Sequence, residues 1–216
     1  MRGLAPLAQQ KKTRGGIFII SAPSGAGKST LCSRLMEARE NILPSVSYTT
    51  RPPRRGEMNN VHYTFVSEKK FRDMASRGAF VEWAQVHGNL YGTSGRRLKS
   101  LVKAGADVLL DIDVQGADQI RKSVDSAVYI FIMPPSLSVL RSRLEKRMSN
   151  TKERQEDIER RLAMARDEMK HYNRYDYVIV NDDLKSALRQ FESIITAERL
   201  KSGRLDSHWI KNTLFA

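Results

Sequence analysis

The consecutive residues Ala22-Pro23-Ser24-Gly25-Ala26-Gly27-Lys28-Ser29-Thr30 combine glycines, a lysine and hydroxyls in an order that suits a phosphate chain. The spacing is that of the P-loop, G-x-x-x-x-G-K-[ST], with Ala22 in place of the first glycine. Gly25 and Gly27 allow backbone conformations that turn successive N–H groups toward a phosphate, and a helix starting near Lys28 adds its positive end. Lys28 reaches β- and γ-phosphates, and the Ser29 hydroxyl suits Mg²⁺. Ala22 is acceptable only where its φ stays negative. Such a cradle requires a buried strand before it and a helix after it. The apolar run Ile17–Ile20 and the helical spacing of Leu31, Leu35 and Met36 supply both. The stretch reads as a site for a nucleoside triphosphate.

A second set of residues concerns the acceptor. Arg51, Arg54 and Arg55 lie beside Pro52-Pro53, which stiffen the segment and hold the guanidinium groups near one another without an acid among them. That pattern suits a phosphate monoester. Glu82 stands among Phe80, Val81 and Trp83, and Asp113 follows a buried run, so each carboxylate needs a donor. Guanine offers N1–H and N2–H₂ side by side, and Ser47 suits O6 or N7. Adenine presents an acceptor at N1 and lacks the amine, which would leave a carboxylate unpaired. Asp111, at the end of a core run, suits either a Mg²⁺ water or a structural carboxylate, and both readings stand. His62 reads as structural, and Cys32 as a small buried thiol.

The elements that must position these groups follow from periodicity. Continuous apolar runs at 17–20, 108–112, 128–133 and 177–180 suit strands buried on both faces. They alternate with helical spacing at Leu98–Val102, Leu137–Met148, Ile158–Met169 and Leu184–Leu200, with Gly203 as a C-cap candidate. This predicts an α/β fold with a doubly wound parallel sheet. Residues 46–92 break the rhythm. Val46–Thr50, Val61–Val66 and Phe80–Val86 read as short strands of a small, mostly antiparallel insert. The charged stretch around 141–162 reads as helices with solvated faces. The expected organisation is a core of 15–45, 93–137 and 170–203, an insert at 46–92, a lid at 138–169, and a basic leader and tail at 1–14 and 204–216.

The segments Ser47-Tyr48-Thr49-Thr50-Arg51-Pro52-Pro53-Arg54-Arg55-Gly56-Glu57, His62–Phe65, Glu82-Trp83-Ala84, Tyr91-Gly92-Thr93 and Asp111–Gly116, taken with the P-loop, resemble guanylate kinase from about Gly16 to Leu200. The resemblance implies a P-loop kinase with a GMP-binding insert and a helical lid. It implies ATP-dependent phosphorylation of GMP to GDP, with Mg²⁺ accompanying ATP. dGMP is expected as well, since nothing reads the 2′-hydroxyl. By the family's motif, residues 22–30 hold ATP, with Asn181 near the adenine. Arg51, Arg54, Tyr63 and Tyr91 hold the GMP phosphate, while Ser47, Glu82, Thr93 and Asp113 read the base. Gly92 lets the loop approach closely. Arg143, Arg147 and Arg161 join Lys28 on the transferring group, and Arg160 is a surface residue. The lid turn, Met148–Arg154, is longer than the family's, so Arg154 competes with Arg147 for that role. Guanylate-kinase-like domains also occur as non-catalytic protein-binding modules. Those are expected to lose the P-loop lysine or the lid arginines, both present here.

Lys plus Arg number 37 against 24 Asp plus Glu, a net charge of +13. Much of this lies in the leader, phosphate loops and lid, and no RNA-binding motif accompanies it, so the expected partners are ATP and GMP rather than nucleic acid. No apolar run is long enough to span a bilayer, and Leu4–Ala8 is too short for a signal segment, so a cytoplasmic place in purine nucleotide metabolism is expected. Whether the chain forms a homo-oligomer is not legible from the sequence.

Overall fold

The structure, a computed structural model, describes residues 14–86, 88–148, 155–205 and 211–212. β1 (Ile17–Ser21) leads through the glycine loop into α1 (Lys28–Ala38) and a short β2 (Ile42–Pro44). β3 (Tyr48–Thr49), β4 (Thr64–Phe65), α2 (Glu68–Ser76), β5 (Phe80–Val86) and β6 (Asn89–Ser94) follow. The chain continues through α3 (Gly95–Lys103), β7 (Asp107–Asp111), α4 (Val114–Arg121), β8 (Ala127–Met133), α5 (Leu137–Met148) and α6 (Gln155–Met169). It closes with β9 (Tyr177–Val180) and α7 (Leu184–Arg199).

The larger sheet is parallel throughout, in the order β2-β7-β1-β8-β9. The central strands β7, β1 and β8 are buried on both faces because helices cover both. The edge strand β9 departs from the expectation for 177–180: only Ile179 is fully buried, and Val178 and Val180 are exposed. Phe18 and Ile20 pack with Leu31 and Leu35 of α1 and Phe191 of α7, while Ile17 and Ile19 pack with Leu98 of α3 and Ile120 of α4. Alternate residues of β1 therefore serve opposite layers, as the two-residue period of a strand requires.

The smaller sheet has the order β4-β3-β6-β5. Its β3–β6 and β5–β6 pairs are antiparallel, whereas β3–β4 is parallel. Several elements differ from the sequence pattern. Only Tyr48–Thr49 and Thr64–Phe65 are strands, because 58–63 turns back on itself: Asn60 has φ 62°, and Met58 accepts backbone bonds from Val61 and His62. β2, α2, α4 and β6 are not visible as periodicity: the first three are short, and β6 buries Leu90, Gly92 and Thr93 without an alternating apolar pattern. β6 runs to Ser94, two residues past the expected end of the insert. α7 ends on Leu200 in right-handed conformation, and Gly203 sits instead in the one-turn 3₁₀ helix Ser202–Arg204, so it is not a C-cap. The paired helices α5 and α6 are more than solvated faces. Leu140, Leu144, Ile158, Leu162 and Ala165 form their own buried cluster.

Candidate active site

The P-loop begins where β1 reaches the carboxyl edge of the parallel sheet, the edge where such folds bind ligands. Gly25 and Gly27 have φ of 91° and 93°. Such values suit glycine, and at Gly27 an added Cβ would also collide with Asn181 Nδ2. Asn60 is the sole non-glycine with positive φ among the described residues, so Ala22 meets its condition. α1 starts at Lys28 with Gly27 as its N-cap and no side-chain cap, which leaves the first-turn N–H groups facing the loop. Around this cradle lies a cavity of about 700 Å³. Its walls include residues 22–25 and 27–30, Asp111, Arg143, Arg147 and Asn181.

Register explains the Lys28 environment. Ile20 of β1 pairs with Asp111 of β7, so Asp111 ends beside the loop. Lys28 Nζ forms an ion pair with Asp111 and donates to the Ile112 carbonyl at 3.4 Å. Arg143 on α5 donates to the Asn181 carbonyl at 2.9 Å and to Ala26 O at 3.4 Å. Asn181 Nδ2 also donates to Ala26 O, at 2.7 Å. The side chain of Asn181 thus fastens the P-loop to the end of β9, and loss of that buried bond would cost about 1–3 kcal/mol. Cys32 is buried as expected, and burial, with the Asp111 charge, pushes its thiol up to about 12.

Glu168, near the end of α6, lines the same cavity and was missed in the sequence. Burial raises its carboxyl above the usual range and Asp113 adds to this, while Lys28 opposes. It thus lies within electrostatic reach of both sets of residues. Nothing in a helix of alternating charges marks it. Arg161 is half-buried on α6 and is not among the residues lining the cavity. Arg160 pairs with Asp157 at the surface, as expected. Arg154 and the lid turn 149–154 lie outside the described residues.

On the smaller sheet the structure brings Arg51, Tyr63 and Tyr91 together. The Arg51 guanidinium carbon is 5.3 Å from the Tyr63 ring centroid, and the two tyrosine rings are 6.0 Å apart. The expectation of an arginine cluster free of acids is overturned. Glu57 accepts two bonds of 2.8 Å from Arg51 and one of 2.6 Å from the Arg54 backbone N–H. Hydrogen bonding to Arg51 holds the Glu57 carboxyl down at about 2, and the same pair pushes Arg51 up. The turn at Gly56 folds the acid back onto the arginine, which spacing alone did not reveal. The Arg54 side chain is exposed.

Glu82 on β5 stands opposite Thr93 on β6 and is buried, at 7% exposure. Burial raises its carboxyl; Thr93 partly offsets the rise and Asp113 adds to it. Thr93 Oγ1 itself makes no well-formed hydrogen bond among the described residues. Asp113 caps α4, accepting from Gly116 N at 2.8 Å. A Cβ built on Gly116 would lie 3.4 Å from both Asp113 Oδ1 and Glu82 Oε2, so the two carboxylates converge there. Ser47 is half-buried next to β3 and accepts from Thr64 N at 2.9 Å through its carbonyl. Gly92 does not serve a loop. It lies within β6, where a Cβ would press on Phe71, Phe80 and Trp83 at 3.0–3.1 Å. His62 Nδ1 accepts from Met58 N at 3.0 Å, a turn-stabilising role.

A parallel sheet with a P-loop at its carboxyl edge, joined to a side-chain pocket on a second sheet, defines a P-loop phosphotransferase. A family model described as guanylate kinase matches residues 14–198. The chain is 52% identical over 188 residues to the guanylate kinase of Nitrosomonas europaea, covering 87% of this chain and 92% of that one. It is 50% identical over 189 residues to that of Pseudoalteromonas translucida, covering 88% and 90%. The crystal structure of guanylate kinase from Anaplasma phagocytophilum matches with a TM-score of 0.73 at 35% identity, covering 94% of this chain and 97% of that one. The chain belongs to the guanylate kinase family and is a nucleoside monophosphate kinase.

Proposed function

We propose that the chain transfers the γ-phosphoryl group of ATP directly to GMP, or to dGMP, giving ADP and the guanosine diphosphate. The observation that carries this reading is the convergence of Glu82 and Asp113 on one point, since paired carboxylates match the adjacent N1–H and N2–H₂ donors of guanine. In this reading Ser47 and Thr93 complete the base contacts, and Arg51, Arg54, Tyr63 and Tyr91 take the phosphate. Residues 22–30 cradle ATP, with Asn181 at the cavity wall. The core carries the donor site, the 46–92 insert the acceptor site, and the 138–169 lid brings Arg143, Arg147 and Arg161 toward the transferring group.

Phosphoryl transfer asks the protein for alignment and charge neutralisation rather than for a covalent intermediate. The acceptor is a phosphate oxygen, so no strong general base is needed. Mg²⁺ fits the oxygen donors present: the exposed Ser29 hydroxyl at the cavity and Asp111 beyond Lys28. Among the described residues no cluster of three metal-ligating side chains exists, which suits an ion held largely by phosphate oxygens. When bound, that ion supplies charge neutralisation on the β- and γ-phosphates. No helix among the described residues is long and apolar enough to cross a membrane, and the proposed location is the cytoplasm.

The deciding measurement is ADP release from ATP–Mg²⁺ with GMP, dGMP, AMP, CMP, UMP or no acceptor. Turnover confined to GMP and dGMP is expected. Turnover with AMP would sink the reading of Glu82 and Asp113. Bound GMP without turnover would leave a binding module.

A further inference from the structure

Beside the smaller sheet lies a groove of about 1190 Å³ that phosphoryl transfer does not use. Its cations come from separate parts of the chain: Arg14 ahead of β1, Arg77 after α2, and Arg96, Lys99 and Lys103 on α3. All are exposed, and among the described residues no carboxylate lines the groove or pairs with any of them. Asp125 lies between the lining residues Val124 and Ser126 but is not part of the wall. Some exposed cations elsewhere on this surface are matched with acids, as in Arg34–Glu37, Arg72–Glu68, Arg141–Glu159 and Lys170–Asp167. The groove gathers five cations round one concavity whose wall, among the described residues, holds no acid. Cations gathered round a concavity repel one another and focus a positive potential that an anion relieves.

Geometry narrows the anion. Arg96, Lys99 and Lys103 are spaced i, i+3, i+7, so they share one face of α3 and span about 10 Å at the helical rise. That length suits several linked phosphates better than a single one. The floor is apolar, formed by Ile17, Val81, Leu98 and Val102, which suits a ligand carrying a non-ionic part. The groove also adjoins the acceptor residues through the backbone. Ser94, a wall residue, follows Thr93, and Val81 precedes Glu82. Gly95 N donates to Ala79 O at 3.0 Å, tying the start of β5 to the point where β6 passes into α3. A ligand bridging α3 and Arg77 would brace that joint.

We propose that this groove is a second anion site, which takes an oligophosphate-bearing ligand and sets how firmly the acceptor is held. The binding half stands by itself; the coupling half rests on the acceptor reading above. The test is calorimetric titration of the full chain, without Mg²⁺ and with ADP and GMP saturating, by inorganic tripolyphosphate and by GTP in separate runs. One further site is expected, and tighter GTP binding would assign the apolar floor to the nucleoside. Arg96→Glu with Lys99→Glu should weaken that site by about tenfold or more, with an unchanged unfolding temperature. Arg96→Gln with Lys99→Gln should weaken it less, and serves if the reversal variant misfolds. Tripolyphosphate should also shift the KM for GMP in the wild-type protein and not in the variant.

Absence of a further site, or equal affinity in both variants, would overturn the proposal. Binding of an oligoglutamate peptide in place of tripolyphosphate would also overturn it, in favour of an acidic protein partner. A KM for GMP that stays fixed while tripolyphosphate is bound would overturn the coupling. Because the titration needs no turnover, a kinase assay that failed would leave this site standing, so the two failures are distinct.

Discussion

The proposed donor cradle and acceptor pocket meet one need, holding phosphate, with different materials. The cradle is one contiguous stretch, residues 22–30, whose donors are largely backbone N–H groups and one lysine. The proposed acceptor pocket draws side chains from segments between Ser47 and Asp113: the stretches flanking β3 and leading to β4, the strands β5 and β6, and the start of α4. Each holds its central cation on an internal carboxylate: Lys28 on Asp111, and Arg51 on Glu57. The pairs differ in shelter. Asp111 is 45% exposed, whereas Glu57 is 19% exposed and grips Arg51 through both oxygens. A point charge beside an open carboxylate is free to move to an incoming phosphate. A bidentate, sheltered pair stays put and orients the guanidinium instead. On the proposed reading, the donor side is built to respond and the acceptor side to discriminate.

The largest effect is expected on the donor side. Lys28→Ala should lower kcat by about 10²–10⁵ with the GMP KM little changed, measured by steady-state ADP release. A GMP KM that rose as steeply would erase the distinction between the sites. Next comes Glu82→Gln, which removes a charged acceptor from the base. It should lower kcat/KM for GMP by about 10² and narrow the preference over AMP, as read from paired acceptor titrations.

Glu57→Gln should raise the GMP KM by about tenfold with kcat nearly retained, because Arg51 loses its orienting partner. A fall in KM would instead make Glu57 a competitor of the phosphate, and would put the acceptor side in the same responsive class as Lys28. The smallest effect is in pH. The Glu82 carboxyl is raised by burial, so it protonates on acidification before an ordinary glutamate and loses its acceptor role. The GMP KM should therefore climb as pH falls through a range above the usual carboxylate values, and Glu82→Gln should flatten that limb. The sign for stability is opposite. A carboxylate with a raised native value makes the fold less stable as pH rises through it, so acid weakens acceptor binding while relieving the buried charge. Glu57 contributes nothing to this limb, since its pair with Arg51 is lost only as pH falls toward about 2.

The parallel sheet was legible because its central strands are buried on both faces and even its edge strand β9 is an apolar run. Runs such as Ile17–Ile20 and Val128–Met133 contrast sharply with the charged helices between them. The smaller sheet was read less well. β3 and β4 are two residues each, too short for a period to register, and α2 was hidden because Phe71 is its one fully buried residue. Gly92, expected in a loop, lies within β6, because the neighbours that demand a glycine there, Phe71, Phe80 and Trp83, come from elsewhere in the chain.

The P-loop was determined by the sequence alone, because glycine torsions, a helix start and a lysine act within a few residues of one another, and local chemistry dictates local shape. The residue types proposed to read guanine and bind phosphate were equally present in the chain, as the family's motifs. Only the tertiary structure decided that Glu57 folds back onto Arg51, that Glu168 reaches the donor cavity from α6, and that Glu82 and Asp113 meet at Gly116. Those contacts depend on strand register and on helices laid across the sheet. A carboxylate's partner and its desolvation are properties of packing, which no spacing along the chain encodes.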